Sequence, residues 1–347
     1  MGYLWEARKV DMGNASDTKE EKVLRRALIL IIAVGIGLVM PHVLSPFYLM
    51  ILSEALIMSI FALSFNLLFG YMGQLSFGQA AFYGLGGYAV AMLITKAHFN
   101  FWLSLLAGVL VAAIAGFIVG YFCVRLRGIY FAILTLAFGQ LLFVIVYKWH
   151  DFTGGDDGIQ GVFPPGILMS PKVYYYLIFL AFLGTTYLLW RIVNSPFGYV
   201  LKAMRDNPER TEFLGINISR YQLFAFVISA ALSGLAGALW APFYRSVAPF
   251  YLMWVKSGEP VMATILGGAN TFLGPVVGTF VMTFVHAYVL GFTYFWPVIM
   301  GCFILLVIFF LPGGILGFAL EKFSTSGREN SGYGRGRQGS SGDKKSD

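Results

Sequence analysis

Charge is nearly absent from the middle of this chain, and no other feature limits its fold so severely. Between Ala27 and Trp190 the ionisable side chains other than His and Tyr are Glu54, Lys96, Arg125, Arg127, Lys148, Asp151, Asp156, Asp157 and Lys172. Apolar runs of about twenty residues lie between them, and a run of that length spans a bilayer as a helix. Of 347 residues, 58% are hydrophobic and 12% charged, against roughly 25% charged in a soluble domain. A soluble enzyme, a disulfide-stapled secreted domain and a nucleic-acid-binding module are excluded. So is a β-barrel, which needs short alternating segments. The fold class is an all-α polytopic membrane protein.

Residues 1–23 form a polar N-tail without the apolar core or cleavage site of a secretory signal. Glu6 stands where an N-myristoylation motif wants Ser or Thr. The membrane domain covers 24–320, and the Gly/Ser-rich tail 321–347 is expected to be disordered. The first span, Ala27–Met40, reads as an uncleaved signal anchor ending at Pro41. Further spans read as Tyr48–Phe69, Gly78–Thr95, Phe101–Cys123, Ile129–Tyr147, Val173–Ile192, Tyr221–Ala241 and Phe295–Leu311. Between the last two lies a broken segment, Glu259–Leu290, interrupted by Gly267, Gly268, Ala269, Asn270, Gly274 and Pro275.

That segment is either one span or a short entering half plus a return. The second option gives about ten membrane segments and puts nineteen of the 24 Lys and Arg on one side. Lys96, Lys148, Lys172, Arg245 and Lys256 are left on the other. By the positive-inside rule the rich side is cytoplasmic, with both termini. Cys123 and Cys302 sit in apolar runs and read as buried, inert thiols.

Several segments are too polar or too flexible for lipid. Gly73, Gln74, Ser76, Gly78 and Gln79 lie in Gly70-Tyr-Met-Gly-Gln-Leu-Ser-Phe-Gly-Gln79. Non-helical backbone at membrane depth survives only where protein or a water-filled path covers it. The segment is therefore either a tight cytoplasmic turn with close helix packing or the lining of a gate. The pairs Gly116/Gly120, Ser233/Gly237, Gly234/Ala238 and Gly274/Gly278 read as packing positions. Glu54 lies about two turns from the outer end of its span, with no base evident at its depth. An intramembrane acid is a functional candidate by default, yet a structural or interfacial role is expected here. The loop Thr153-Gly-Gly-Asp-Asp-Gly158 lacks EF-hand ligand spacing and reads as a solvated turn.

The loop 194–220 is more ordered than a connection needs to be. Phe197, Val200, Leu201 and Met204 make an apolar helical stripe. Asn207, Pro208 and Glu209 read as the cap, first position and acidic first turn of a second helix, which Gly215 ends. Arg205, Asp206, Glu209, Arg210 and Glu212 mix signs closely, which favours a protein-docking surface over anionic lipid. A helix lying on lipid is the plainer alternative. There is no phosphate-binding loop, no catalytic or zinc motif and no cluster of the four histidines. No metal or cofactor is expected.

These stretches together resemble the LivM-type permease of bacterial branched-chain amino-acid ABC transporters. The resemblance rests on Leu63–Tyr88, Arg125–Gln140, Thr153–Gly161, Ser195–Ile216, Ile265–Thr279 and Leu311–Gly317. It implies a subunit of the bacterial inner membrane that pairs with a LivH-type permease to form half of a translocation path. A periplasmic binding protein would deliver substrate, and two cytoplasmic ATPases would hydrolyse ATP. One would dock on Leu201, Arg205, Asp206, Asn207, Pro208, Glu209, Arg210 and Gly215. Asn66, Gly73, Gln74, Ser76, Gly78 and Gln79 would line the path or its gate. Urea and short-chain amide permeases belong to the same broad group. A secondary transporter would instead need ion-coupling groups within the membrane, for which Glu54 alone is thin support.

Overall fold

The computed structural model describes residues 34–290, 296–311 and 313–318. The N-tail, the start of the first span, residues 291–295 and the C-terminal tail lie outside them. Helix α1 is Val34–Val43 and runs on through Pro41, two residues beyond the expected stop. Helix α2, Pro46–Asn66, continues into a π turn at Leu67–Tyr71. Then come α3 (Gln79–Thr95), α4 (Phe101–Cys123), α5 (Ile129–Lys148), the single turn α6 (His150–Thr153) and α7 (Pro171–Val193). The short pair α8 (Pro196–Asp206) and α9 (Pro208–Phe213) precedes α10 (Ile218–Tyr244), α11 (Trp254–Gly267), α12 (Gly274–Leu290) and α13 (Trp296–Phe310). Strands β1 (Ile159–Gln160) and β2 (Ser246–Val247) form one antiparallel bridge.

Among the described residues, five helices are long and apolar enough to cross a membrane: Pro46–Tyr71, α4, α5, α7 and α10. Their burial sorts them into two groups. In the most apolar window, 72% of α2 and 67% of α10 is buried, against 33% or less for the other three. So α2 and α10 form the centre, while α4, α5 and α7 show most of their surface outward.

Small residues make the centre possible, because helix backbones in lipid pack closely only where side chains are small. A Cβ on Gly86 would collide with the Gly234 backbone, and one on Gly237 with the Tyr83 carbonyl. Gly116 faces Ala230, and Gly120 faces Phe226. Buried hydroxyls join the same helices. Ser229 Oγ donates to the Ser64 carbonyl at 2.6 Å, and the Ser64 and Ser233 hydroxyls lie 2.8 Å apart. Ser233 in turn donates to Gln79 Oε1 at 2.9 Å.

The broken segment is a helical hairpin. Gly267 packs against Gly274 and Ala263 against Gly278, the pairing of antiparallel neighbours. Helix α11 begins at Trp254, five residues earlier than Glu259. Its 14 residues rise about 21 Å, short of the ~30 Å hydrocarbon core. The hairpin turn joins one end of the molecule. There Gly268 meets Gly313 and Gly314, Gln74 Oε1 accepts from Gly128 N at 3.0 Å, and Arg127 pairs with Glu212 at 3.8 Å. At the other end Lys96 Nζ donates to the Asp151 and Phe152 carbonyls, and the β1–β2 bridge closes the surface.

Candidate functional site

The loop 194–220 folds as two helices linked at Asn207. The stripe on α8 does bury, with Leu201 0% and Met204 4% exposed and Phe197 and Val200 packed at the core's edge. Asn207 Oδ1 caps α9 by accepting from Arg210 N at 3.0 Å, Pro208 is the first helical residue, and Gly215 has φ +80°. Asp206, Glu209, Arg210 and Glu212 are exposed. Arg205 departs from the expected docking face. It turns back into the protein, donating to the Gly70 carbonyl and, at 2.7 Å, to Asn270 Oδ1. The tip of α9 carries an apolar surface that charge patterning hides: Phe213 is 90% and Leu214 78% exposed.

Arg205 therefore joins three elements: α8, the π turn ending α2, and the α11–α12 turn. Gly73, with φ +74°, lies directly beneath the Arg205 side chain, where a Cβ would meet it. The chain then runs inward. Phe77 N donates to Thr135 Oγ1, Gly78 abuts the Thr135 carbonyl, and Ala80 N donates to Ser257 Oγ. Residues 72–78 are thus non-helical backbone that starts at the exposed Gly73, at the end of the molecule where Gln74 meets Gly128, and runs in against α5 and α11. Ser76 Oγ, Gln79 Nε2 and both polar atoms of Asn66 are buried without a hydrogen-bond partner among the described residues. Asn66 and Gln74 do not converge with Gln79 on one chamber. Gln74 binds Gly128, and Asn66 faces Gly70 and Ala269.

A cavity lined by charged side chains lies elsewhere. It has a volume of about 220 Å³ and opens between α2, α10, α11, α12 and α13. Glu54, Lys256, Glu259, Tyr244, His286 and Thr283 supply its polar groups, and Met58, Trp240, Met282 and Met300 its apolar wall. Glu54 Oε2 accepts from Tyr244 Oη at 2.9 Å, and Lys256 Nζ pairs with Glu259 Oε2 at 2.7 Å. Lys256 is only 7% exposed, so it is no outer-loop charge. It is the base at Glu54's depth that the sequence seemed to lack. Its ammonium also sits over Trp240 at 5.1 Å and over Tyr83 and Tyr251 at 5.8 and 5.9 Å. The signal that could have exposed it is Lys256–Glu259, an i,i+3 ion pair beside Pro260 inside an otherwise apolar segment.

Two other expectations change. Thr153 is buried, holding the Val146 and Trp149 carbonyls, so only Asp156 and Asp157 of its loop face outward. Cys123 is buried, but Cys302 is exposed on α13. No group of three potential metal-binding side chains occurs among the described residues.

An all-helical, polytopic chain with a charged chamber between its central helices has the build of a membrane permease. The chain belongs to the family of branched-chain amino acid transport system permease components, whose model matches residues 47–312. It is 26% identical over 320 residues to the high-affinity branched-chain amino acid transport permease LivM of Salmonella typhimurium, covering 84% of this chain and 75% of that one. Escherichia coli LivM matches to the same extent. The LivH permease of Escherichia coli is 25% identical over 284 residues, covering 75% and 91%. No solved structure matches.

Proposed function

We propose that this chain is the LivM-type permease of an ATP-driven importer of branched-chain amino acids in a bacterial inner membrane. A LivH-type companion completes the path, a periplasmic binding protein supplies substrate, and two ATPases on the cytoplasmic side power it. The ten helices α1–α5, α7 and α10–α13 are its membrane segments, with both termini on the cytoplasmic side. Residues 24–320 are the permease domain, surrounded by lipid. The uncovered apolar edge of α11, Trp254, Val255, Met262 and Ile265, faces the companion.

The observation that carries this reading is the build of α8–α9. A protruding apolar tip, Phe213–Leu214, gives a partner something to grip. The buried stripe and Arg205 tie that grip to the end of α2 and to the hairpin. Motion of an ATPase is thereby passed to the membrane helices instead of being lost in a flexible linker. Capture of the ATPase by the reconstituted permease pair tests it. Phe213→Ala with Leu214→Asp should abolish both capture and leucine-stimulated hydrolysis. Wild-type values for both would put the docking surface elsewhere than the α9 tip, whereas transport that needs no ATPase at all would remove the importer reading and favour a secondary transporter.

A further inference from the structure

We propose that the cavity between α2 and α11 is a transit site for a free α-amino acid, in which Glu54 takes the ammonium and Lys256 the carboxylate. This rests on the permease reading and names the groups that hold substrate inside the membrane.

Ionised side chains within a bilayer are costly and mark pathways. Here three line one cavity, two acids and one base, so one acid is left over. Lys256 and Glu259 form a pair, which leaves Glu54 with only the Tyr244 hydroxyl on one of its two oxygens. An ionised carboxylate accepts through both oxygens, and an ammonium has three donors. The cavity thus offers spare acceptor capacity on one element and spare donor capacity on another. The rings of Trp240, Tyr83 and Tyr251 stabilise the Lys256 cation. Pro260, also in the wall, provides no N–H to the Lys256 carbonyl four residues earlier.

A zwitterion fits this arrangement because it brings one charge of each sign. A neutral solute such as urea would bring no positive charge to Glu54, whose side-chain partner is the neutral Tyr244 hydroxyl, in a low-dielectric setting where missing partners cost most. Three methionines, Met58, Met282 and Met300, share the rest of the wall with Ala263, Thr279, Thr283 and His286. Thioethers adapt to irregular shapes, as a site for several apolar side chains requires. At ~30 Å³ per water, the volume equals about seven waters, the scale of a small amino acid. The two charges also sit on different elements. Lys256 is on the hairpin whose turn Arg205 holds, and Glu54 is midway along α2. A shift of the docking loop would change their separation and release the ligand.

The test uses the complete importer in liposomes, with both permeases, the ATPases, the binding protein and radiolabelled L-leucine. Leucine moved per ATP hydrolysed is compared for wild type, Glu54→Gln, Glu54→Asp, Lys256→Met and Lys256→Arg, with ATPase capture as the assembly check. A hydrogen bond to a charged group is worth about 1.5–3 kcal/mol, so the ratio should fall about tenfold or more in the Gln and Met variants. The Asp and Arg variants should largely restore it. An unchanged ratio, with accumulation and hydrolysis falling together, would show a structural pair and overturn the site. Where the charge-removing variants do not assemble, Thr283→Cys in a background without Cys123 and Cys302 reads occupancy directly. L-leucine should slow its labelling by an impermeant thiol reagent several-fold, and absence of protection overturns the site. A wild-type complex that hydrolyses ATP but moves no leucine overturns the permease reading, and the site falls with it.

Discussion

The α8–α9 loop and the charged cavity are built in opposite ways. In α8–α9 the bonds that shape the helices are local: Asn207 caps three residues ahead, Thr211 Oγ1 returns to the Asn207 carbonyl, and the buried stripe lies on one helix. The result is a rigid body with an apolar tip left bare. The cavity takes its walls from five helices, and its charges are only partly satisfied. A rigid handle can be specified by neighbours in sequence. A chamber exists only where helices distant in sequence fail to close on each other.

The largest expected effect breaks the hairpin that carries Lys256. A Cβ on Gly278 would run into the Ala263 carbonyl, and this contact is backbone against backbone. Overpacking costs about 1–3 kcal/mol or more, so Gly278→Leu should abolish folded yield in detergent, read by size-exclusion fluorescence. Normal yield would show that α11 and α12 are not one packed unit. Gly78→Leu faces the same obstacle at the Thr135 carbonyl and should lower Tm before it changes the transport mechanism.

Next is the handle. Proline inside a helix costs about 3 kcal/mol, so Leu201→Pro should release the ATPase in a pull-down while the membrane domain still folds. Capture at wild-type strength would put the docking surface elsewhere. Arg205→Ala separates grip from transmission. Arg205 is exposed, so its bonds to Gly70 and Asn270 should be worth about 1 kcal/mol after solvent screening. Capture should persist while leucine transported per ATP falls several-fold, and parallel losses would refute a transmitting role. The smallest effects belong to the rim. Exposed ion pairs contribute about 0–1 kcal/mol, so Glu209→Lys or Arg210→Glu should leave ATPase affinity within about tenfold of wild type.

Much of the framework was legible. The boundaries of α4 and α5 agree with the apolar runs because lipid offers the backbone no hydrogen bonds, so each segment must complete its own. The α9 cap, its Pro208 and the positive φ of Gly215 were legible for the same local reason. Arg205 was misplaced because a helical stripe tells which residues are apolar, not where a long guanidinium will reach. The tip at Phe213–Leu214 was missed because sequence periodicity assigns apolar residues to the interior. Among the gate candidates, Gly73 and Gly78 are explained by what stands against them, Arg205 and the Thr135 carbonyl.

By itself the sequence determined an all-α membrane protein, its longest spans and the two helices of the loop 194–220, since these follow from bilayer thickness and from interactions within a few residues. Tertiary structure alone decided that Lys256 and Glu54 share a chamber and that Arg205 binds two distant turns. In lipid, helices are positioned by small residues such as Gly234, Gly237 and Gly278 that admit a neighbour's backbone. Which backbone enters which gap depends on the complementary shape of both helices, and a single segment carries only one side of that match.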